Sequence, residues 1–175
     1  MRIFELTNKE CAEALTRLRL GRLACSRNEQ PYIVPIYFAF HERQLYSFAT
    51  HGQKIDWMRI NPRVCIEADE IVNRDEWTSV IVHGRYEELP DTLEWKLERE
   101  LTHDLLQQEA MWWEPACASN IHPGAADEFI PIYYRIHIDR MTGRRAMPDS
   151  IDAARLVSPQ DVPERKSLLK RLLHR

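Results

Sequence analysis

The segment from Pro31 to Asp69 constrains the fold more than any other part of the chain. Apolar residues run from Tyr32 to Phe40 without clean alternation, as expected for a strand that is covered on both faces. Pro35 has no N–H to donate to a ladder, so it indicates a sheet edge, a bulge or a place where a ligand takes the neighbouring backbone groups. The apolar run Gln44–Ala49 predicts a second strand that forms a hairpin with the first. Beyond a short helix, the alternating run Val64–Asp69 predicts a third strand.

The short helix between these strands is predicted to begin close to Gly52. Ile55 and Met58 recur at helical spacing, and Pro62 ends the run. The first N–H groups of such a helix have no partner inside it, so they form a site for a phosphate dianion. Lys54 lies in the first turn, where a cation is unfavourable unless an anion compensates it. The pattern indicates a phosphate site, and a solvated surface lysine is the alternative.

Outside this segment the sequence predicts two longer helices and three more strands. The helix Thr7–Arg19 begins with a capping-box pattern, and Gly21 is predicted to end it. The helix Asp91–Glu109 has a leucine at every fourth position, which predicts an apolar face that covers an open side of the sheet. These leucines are Leu93, Leu97, Leu101 and Leu105. The strands are Arg22–Ser26, Trp77–Leu89 and Phe129–Met141, and Glu70–Glu76 is predicted to be a charged loop.

Size and charge restrict the function classes. A chain of 175 residues suits one domain that needs no disulfides, and a net charge of −3 gives no overall electrostatic case for binding nucleic acid. No apolar run approaches the length of a membrane span and no secretory core follows the first residues, so we expect a cytoplasmic protein. We place one domain at residues 1–147. The extension at 148–175 contains a short basic amphipathic helix, which is not expected to attach to a membrane.

Cysteine and histidine spacing gives no support for a metal site. The four cysteines include no CxxC pair, so a disulfide framework and structural zinc are both disfavoured. Cys25 and Cys65 lie in apolar strands and are interpreted as small buried hydrophobes. The seven histidines show neither HxH nor HExxH spacing. We therefore expect no bound metal.

A series of short stretches, in their order along the chain, resembles the FMN-binding split-barrel proteins, which are relatives of pyridoxamine 5'-phosphate oxidase. They are Gly21–Cys25, Pro31–Ile36, Tyr46–His51, Gly52–Lys54, Asn61–Cys65 and Val80–Arg85. The most similar branch includes the nitroimidazole-resistance proteins, and the resemblance runs from about Thr7 to Arg145. It implies a mainly β fold, a six-stranded antiparallel split β-barrel with flanking helices. It also implies a homodimer with one FMN in each of two clefts at the subunit interface.

The resemblance also implies which residues contact the cofactor. Residues 34–37 would lie along the flavin ring, residues 50, 51 and 54 would hold the phosphate, and the strand from residue 79 to 82 would close the other side. One of two adjacent tryptophans, Trp112 or Trp113, would line the cleft, and tryptophan packing without a ligand is the alternative. The full set is Val34, Pro35, Ile36, Tyr37, Ala49, Thr50, His51, Lys54, Ser79, Val80 and Trp113.

The activity implied by the resemblance is that of a flavin oxidoreductase, which passes electrons from a nicotinamide donor to a small oxidised acceptor. The alternatives are a non-enzymatic flavin carrier and a split barrel that binds haem or a deazaflavin. Pyridoxamine phosphate oxidase activity itself is disfavoured, because the last strand ends in Met141–Arg145 and lacks the arginine- and histidine-containing segment of those enzymes. His51 and His83 are the titratable side chains nearest to the implied cleft, and supplying a proton is the alternative role for either. We interpret the first as a phosphate ligand and the second as a packing residue.

Overall fold

The computed structural model describes residues 1–107 and 131–149. Predictions for Trp112, Trp113 and the tail from residue 150 onward lie outside these residues. In chain order the elements are β1 (Arg2–Leu6), α1 (Asn8–Arg17), β2 (Leu20–Arg27), β3 (Gln30–Tyr37), β4 (Ala39–His41), β5 (Gln44–Ala49), α2 (Gln53–Ile60), β6 (Arg63–Asn73), β7 (Glu76–Glu88), a 3-10 turn (Leu93–Trp95), α3 (Lys96–Gln107) and β8 (Ile132–Met147).

The strands form one antiparallel sheet in the order β3-β2-β6-β7-β8-β5-β4, and β1 pairs with the far half of β8. Only Phe38 separates β3 from β4, so the chain itself joins the two ends of this order. The sheet therefore curls into a split barrel, which confirms the predicted mainly β fold with flanking helices. The large apolar side chains inside it are fully buried, among them Leu15, Phe38, Leu45, Ile55, Met58, Ile66, Val80, Val82 and Ile136.

The sheet has eight strands rather than the predicted six. One extra strand is β1, which pairs with β8 from a distant part of the chain. The other arises because the apolar run 32–40 is not one strand. It changes partner at Phe38, so that β3 pairs with β2 while β4 pairs with β5. The predicted hairpin consequently involves only the last two residues of that run, Ala39 and Phe40, together with His41.

Two predicted boundaries are also corrected. Helix α1 has the predicted capping box, because the Thr7 hydroxyl accepts from the Glu10 N–H and the Glu10 carboxylate accepts from the Thr7 N–H. It ends at Arg17, and Gly21 instead lies within β2, where a Cβ would be 2.9 Å from the Glu67 carbonyl oxygen. The predicted loop at Glu70–Glu76 is mostly strand, since β6 continues to Asn73 and β7 begins at Glu76.

The predicted leucine face of the third helix does not cover the barrel. Leu93 and Leu97 are 92% and 76% exposed, whereas Thr102 and Leu106 are buried against the sheet. Leu106 packs in a small second core with Tyr37 and Ala39. Leucines four residues apart drift about 40° around a helix at each step, so Leu105 packs against the small second core while Leu97, eight residues earlier, faces solvent.

Two further features are absent from the described ranges. No helix within residues 1–107 and 131–149 is long and apolar enough to cross a membrane. No group of three or more potential ligands that could hold a metal ion occurs in the same residues.

Candidate functional site

The beginning of helix α2 is open. Gly52 is its N-cap residue and gives no side-chain hydrogen bond to the helix, while its carbonyl accepts from the N–H groups of Ile55 and Asp56 at 3.0 and 3.2 Å. A Cβ at Gly52 would meet no atom within 4 Å. The helix therefore begins and ends as predicted, at Gly52 and Asn61, and its positive end faces free space.

The predicted phosphate-binding residues gather at this point. Thr50 and His51 connect β5 to α2, and Lys54 follows in the first turn. Thr50 and Lys54 are half-buried, and His51 is exposed. Burial raises the pKa of the Cys25 thiol on β2, and the nearby Lys54 ammonium opposes that rise, so Lys54 lies over the end of this strand. The site thus combines a helix N-terminus with a cation, a hydroxyl and an imidazole.

Arg59 is a further member of this site that the sequence did not indicate. Its Nε and Nη2 donate to the two oxygens of Glu88, each at 2.8 Å, and its Nη1 lies 3.3 Å from His51 Nε2. Because a guanidinium only donates, His51 Nε2 must be the acceptor in that contact. The Tyr86 hydroxyl also donates to Glu88, at 2.9 Å. The Arg59–Glu88 contact depends on how β7 passes α2, which residue spacing cannot show.

Electrostatics in this chain of contacts follow from its geometry. Hydrogen bonding to Arg59 is the largest cause that lowers the pKa of Glu88. Burial, followed by the hydrogen bond to Glu88, raises the pKa of Tyr86 far above its ordinary value. Glu88 is therefore an anion and Tyr86 a neutral donor at neutral pH. Together they hold Arg59 beside His51.

The four predicted ring-binding residues on β3 do not all point the same way. Pro35 is exposed and pairs with Arg22 on the outer side of the sheet edge, which confirms the edge interpretation of this proline. Val34 and Ile36 pack into the barrel core. Tyr37 is buried on the α3 side, where its hydroxyl accepts from Arg19 at 3.2 Å. Only backbone groups of this strand can therefore present a common surface to a ring.

The predicted residues on β5 and β7 divide in the same manner. Ala49 and Val80 are core residues, so their side chains face the barrel interior. Ser79 lies on the outer face and donates to Glu67 at 3.1 Å. It also lines a groove of about 550 Å³ with Trp77, Ile81 and Thr142. Three strand spacings separate β7 from β3, which is about 14 Å along the sheet, so within one subunit Ser79 does not lie beside Pro35.

Comparison with protein families decides the relationship. The family model described as Pyridoxamine 5'-phosphate oxidase matches residues 7–145. The chain belongs to this family. Its sheet and helices are thus those of a family member, and the resemblance seen in the sequence is confirmed.

Individual relatives agree with this assignment. An uncharacterised protein of Rhizobium meliloti is 40% identical over 141 residues, which is 81% of this chain and 93% of that protein. A solved structure named as an FAD-binding protein from Mesorhizobium loti is 42% identical, with a TM-score of 0.70 and coverage of 83% of this chain and 99% of the other. A structure described as a 5-nitroimidazole antibiotic resistance protein from Bacteroides thetaiotaomicron has a TM-score of 0.57 at 16% identity, covers 83% of this chain and 89% of its own, and shares the fold.

Proposed function

We propose that this chain binds a flavin nucleotide, FMN in its simplest form, with the phosphate at the start of helix α2. The observation that carries the proposal is the half-buried Lys54 in the first turn of a helix whose N-terminus is open. The Lys54 ammonium and the positive end of the helix dipole repel each other, and a phosphate dianion would compensate both positive charges. Thr50 and His51 add two short polar side chains at the same place, so the residues present fit the phosphate of a flavin.

The rest of the flavin would extend from this point along the exposed edge strand β3. Backbone groups near Pro35 are available there, and a second subunit would supply the other wall of the cleft. Within one subunit Ser79 lies about 14 Å from β3, so it would close such a cleft more readily from the second subunit. This separation therefore agrees with a homodimer. The name of the Mesorhizobium loti relative supports a flavin and raises FAD as the form that is bound.

The proposed activity is electron transfer from a nicotinamide donor to a small oxidised acceptor. The bound flavin would supply the hydride and electron chemistry. The residues of this chain would bind and orient it: Lys54 and the α2 amides fix the phosphate, and Arg59 holds His51 beside it through the 3.3 Å contact. His51 then serves as a phosphate ligand.

The first test is the absorption spectrum of purified protein, with the chromophore released by acid and separated by chromatography to distinguish FMN from FAD. In Lys54→Ala we expect flavin affinity to fall about 10- to 100-fold, because one charge-assisted contact is worth about 1.5–3 kcal/mol. Lys9→Ala is the matched control, since Lys9 is an exposed lysine on α1, away from the site, and pairs with Glu13.

Three results would count against the proposal. If the protein stays colourless and fails to bind added FMN or FAD, the proposal of a bound flavin is wrong. Equal flavin affinity in Lys54→Ala and Lys9→Ala would show that the phosphate is not bound at the start of α2. A flavoprotein that does not oxidise NADH or NADPH with any quinone or nitroaromatic acceptor would be a flavin carrier rather than an enzyme.

A further inference from the structure

A groove rich in cations crosses strands β6, β7 and β8 on the outer face of the sheet. Strand register places Arg63 opposite Arg85, and His83 opposite both Cys65 and Arg140. The groove has a volume of about 400 Å³, and its walls are Arg63, Val64, His83, Gly84, Arg85 and Asp139. We call the three basic wall residues, Arg63, His83 and Arg85, together with Arg140 opposite His83, the basic groove. His83, which the sequence interprets as a packing residue, is thus half-exposed at its wall.

Neighbouring carboxylates balance only one of the charges of the basic groove. Arg85 donates to Asp139 at 2.9 Å. Arg63 and Arg140 have no carboxylate partner in residues 1–107 and 131–149. Arg140 is exposed and is paired with His83 on the neighbouring strand, next to the groove. Two uncompensated guanidinium groups and an imidazole remain, in a chain whose overall charge is negative.

This cluster has the chemistry of a phosphate site. A guanidinium binds two oxygens of a phosphate through parallel N–H groups, and several guanidinium groups together repel one another until an anion is present. The groove is open to solvent on one side, so a phosphate attached to a larger molecule can enter. His83 and Arg85 are two residues apart on β7, so ordinary strand alternation places both side chains on this face.

The position of the groove indicates which molecule carries the phosphate. Ser79, which would close the proposed flavin cleft from the second subunit, lies on the same face of β7 four residues before His83, a separation of about 13 Å along a strand. A donor that stacks its nicotinamide ring on a flavin near Ser79 would extend its phosphates along the strand towards His83. The groove beside Ser79 continues this face of the sheet past Ile81.

We infer that the basic groove binds the phosphate groups of the nicotinamide electron donor, the 2'-phosphate of NADPH in particular. This inference rests on the proposed flavin function. The phosphate bound in the groove could also belong to the flavin or be inorganic phosphate. Binding measurements with 2',5'-ADP, FMN and inorganic phosphate distinguish these three sources. We favour the nicotinamide donor as the source of the phosphate, because the flavin phosphate already occupies the start of α2 in the proposed function.

The test measures binding of 2',5'-ADP, which carries the 2'-phosphate but no redox ring, to protein as purified. The variant Arg63→Gln/Arg140→Gln is compared with Arg27→Gln/Arg74→Gln, which removes two exposed arginines outside the groove. We expect 2',5'-ADP to bind about 100-fold more weakly to the first variant, about tenfold for each arginine. The control should bind it as the wild type does. The kcat/KM for NADPH should fall in parallel with this affinity, while that for NADH changes little.

Several results would overturn the inference. They are failure of the wild type to bind 2',5'-ADP, equal affinity in both variants, or inorganic phosphate binding as tightly as 2',5'-ADP. Displacement of 2',5'-ADP by FMN would assign the groove to the flavin. Because this binding assay uses neither flavin nor turnover, a colourless protein that still binds 2',5'-ADP through Arg63 and Arg140 would separate failure of the flavin proposal from failure of this one.

Discussion

Gly84 offers the sharpest test of the packing that positions the candidate sites. It lies at the bulge of β7, directly after His83, and pairs with Val64 on one side and Ile138 on the other. A Cβ added at Gly84 would lie 2.3 Å from the carbonyl oxygen of His137 and 2.7 Å from Ile136 Cγ2. Ordinary contact begins at 3.4 Å, so the strands would have to separate by about 1 Å.

The cost of Gly84→Ala can be estimated from this overlap. Overpacking in a tight interior costs about 1–3 kcal/mol, and the upper end applies when the obstacle is backbone rather than the end of a flexible side chain. We therefore expect the free energy of unfolding to fall by about 3 kcal/mol. At an m-value of about 2 kcal/mol/M, the urea midpoint would fall by about 1.5 M.

Urea unfolding of ligand-free protein measures this change, since a ligand that binds the folded state would mask it. Gly52→Ala is the matched control. A Cβ there meets nothing within 4 Å, and only the N-cap preference changes, so its cost should stay below about 1 kcal/mol. If Gly84→Ala lost no more stability than Gly52→Ala, the argument from close approach of β7 and β8 would be wrong.

Two further predictions concern the surface and the charge network. Leu97→Gln should change the free energy of unfolding by less than about 0.5 kcal/mol, because Leu97 is 76% exposed; a loss of about 2 kcal/mol in urea unfolding would contradict this exposure. Arg59 holds the pKa of Glu88 below its usual value, so the pair stabilises the fold above the unfolded-state pKa of this carboxyl and loses that contribution as pH falls through the folded-state value. Glu88→Gln should therefore cost about 1 kcal/mol at pH 7 and less at pH 4, below the ordinary pKa of the carboxyl, a figure kept small because Arg59 is partly exposed. An equal cost at both pH values would refute this assignment.

Local sequence determined the parts of the fold that depend on neighbouring residues. The start of α1 follows from Thr7 and Glu10, three positions apart, and the limits of α2 follow from Gly52 and Asn61. Each of these signals is a hydrogen bond or a backbone restriction that acts within one helical turn. The phosphate hypothesis belongs to the same class, because Lys54 and the α2 amides are contiguous in the chain.

Long-range pairing determined the remainder. Strand β1 forms only because β8, more than 130 residues later, offers it an edge, and a strand of five residues at a chain end carries no sign of that partner. The change of partner at Phe38 and the exposed Leu97 likewise depend on where other elements pass. Propensity and periodicity do not contain this information.

The two candidate sites show the same division. The sequence by itself determined the family, the mainly β fold and the residues at the start of α2, because each is written in short contiguous stretches. Only the tertiary structure placed Arg59 beside His51 and brought Arg63 opposite Arg85. Strand register decides such neighbours, and register is fixed by the packing of the whole barrel rather than by any one strand.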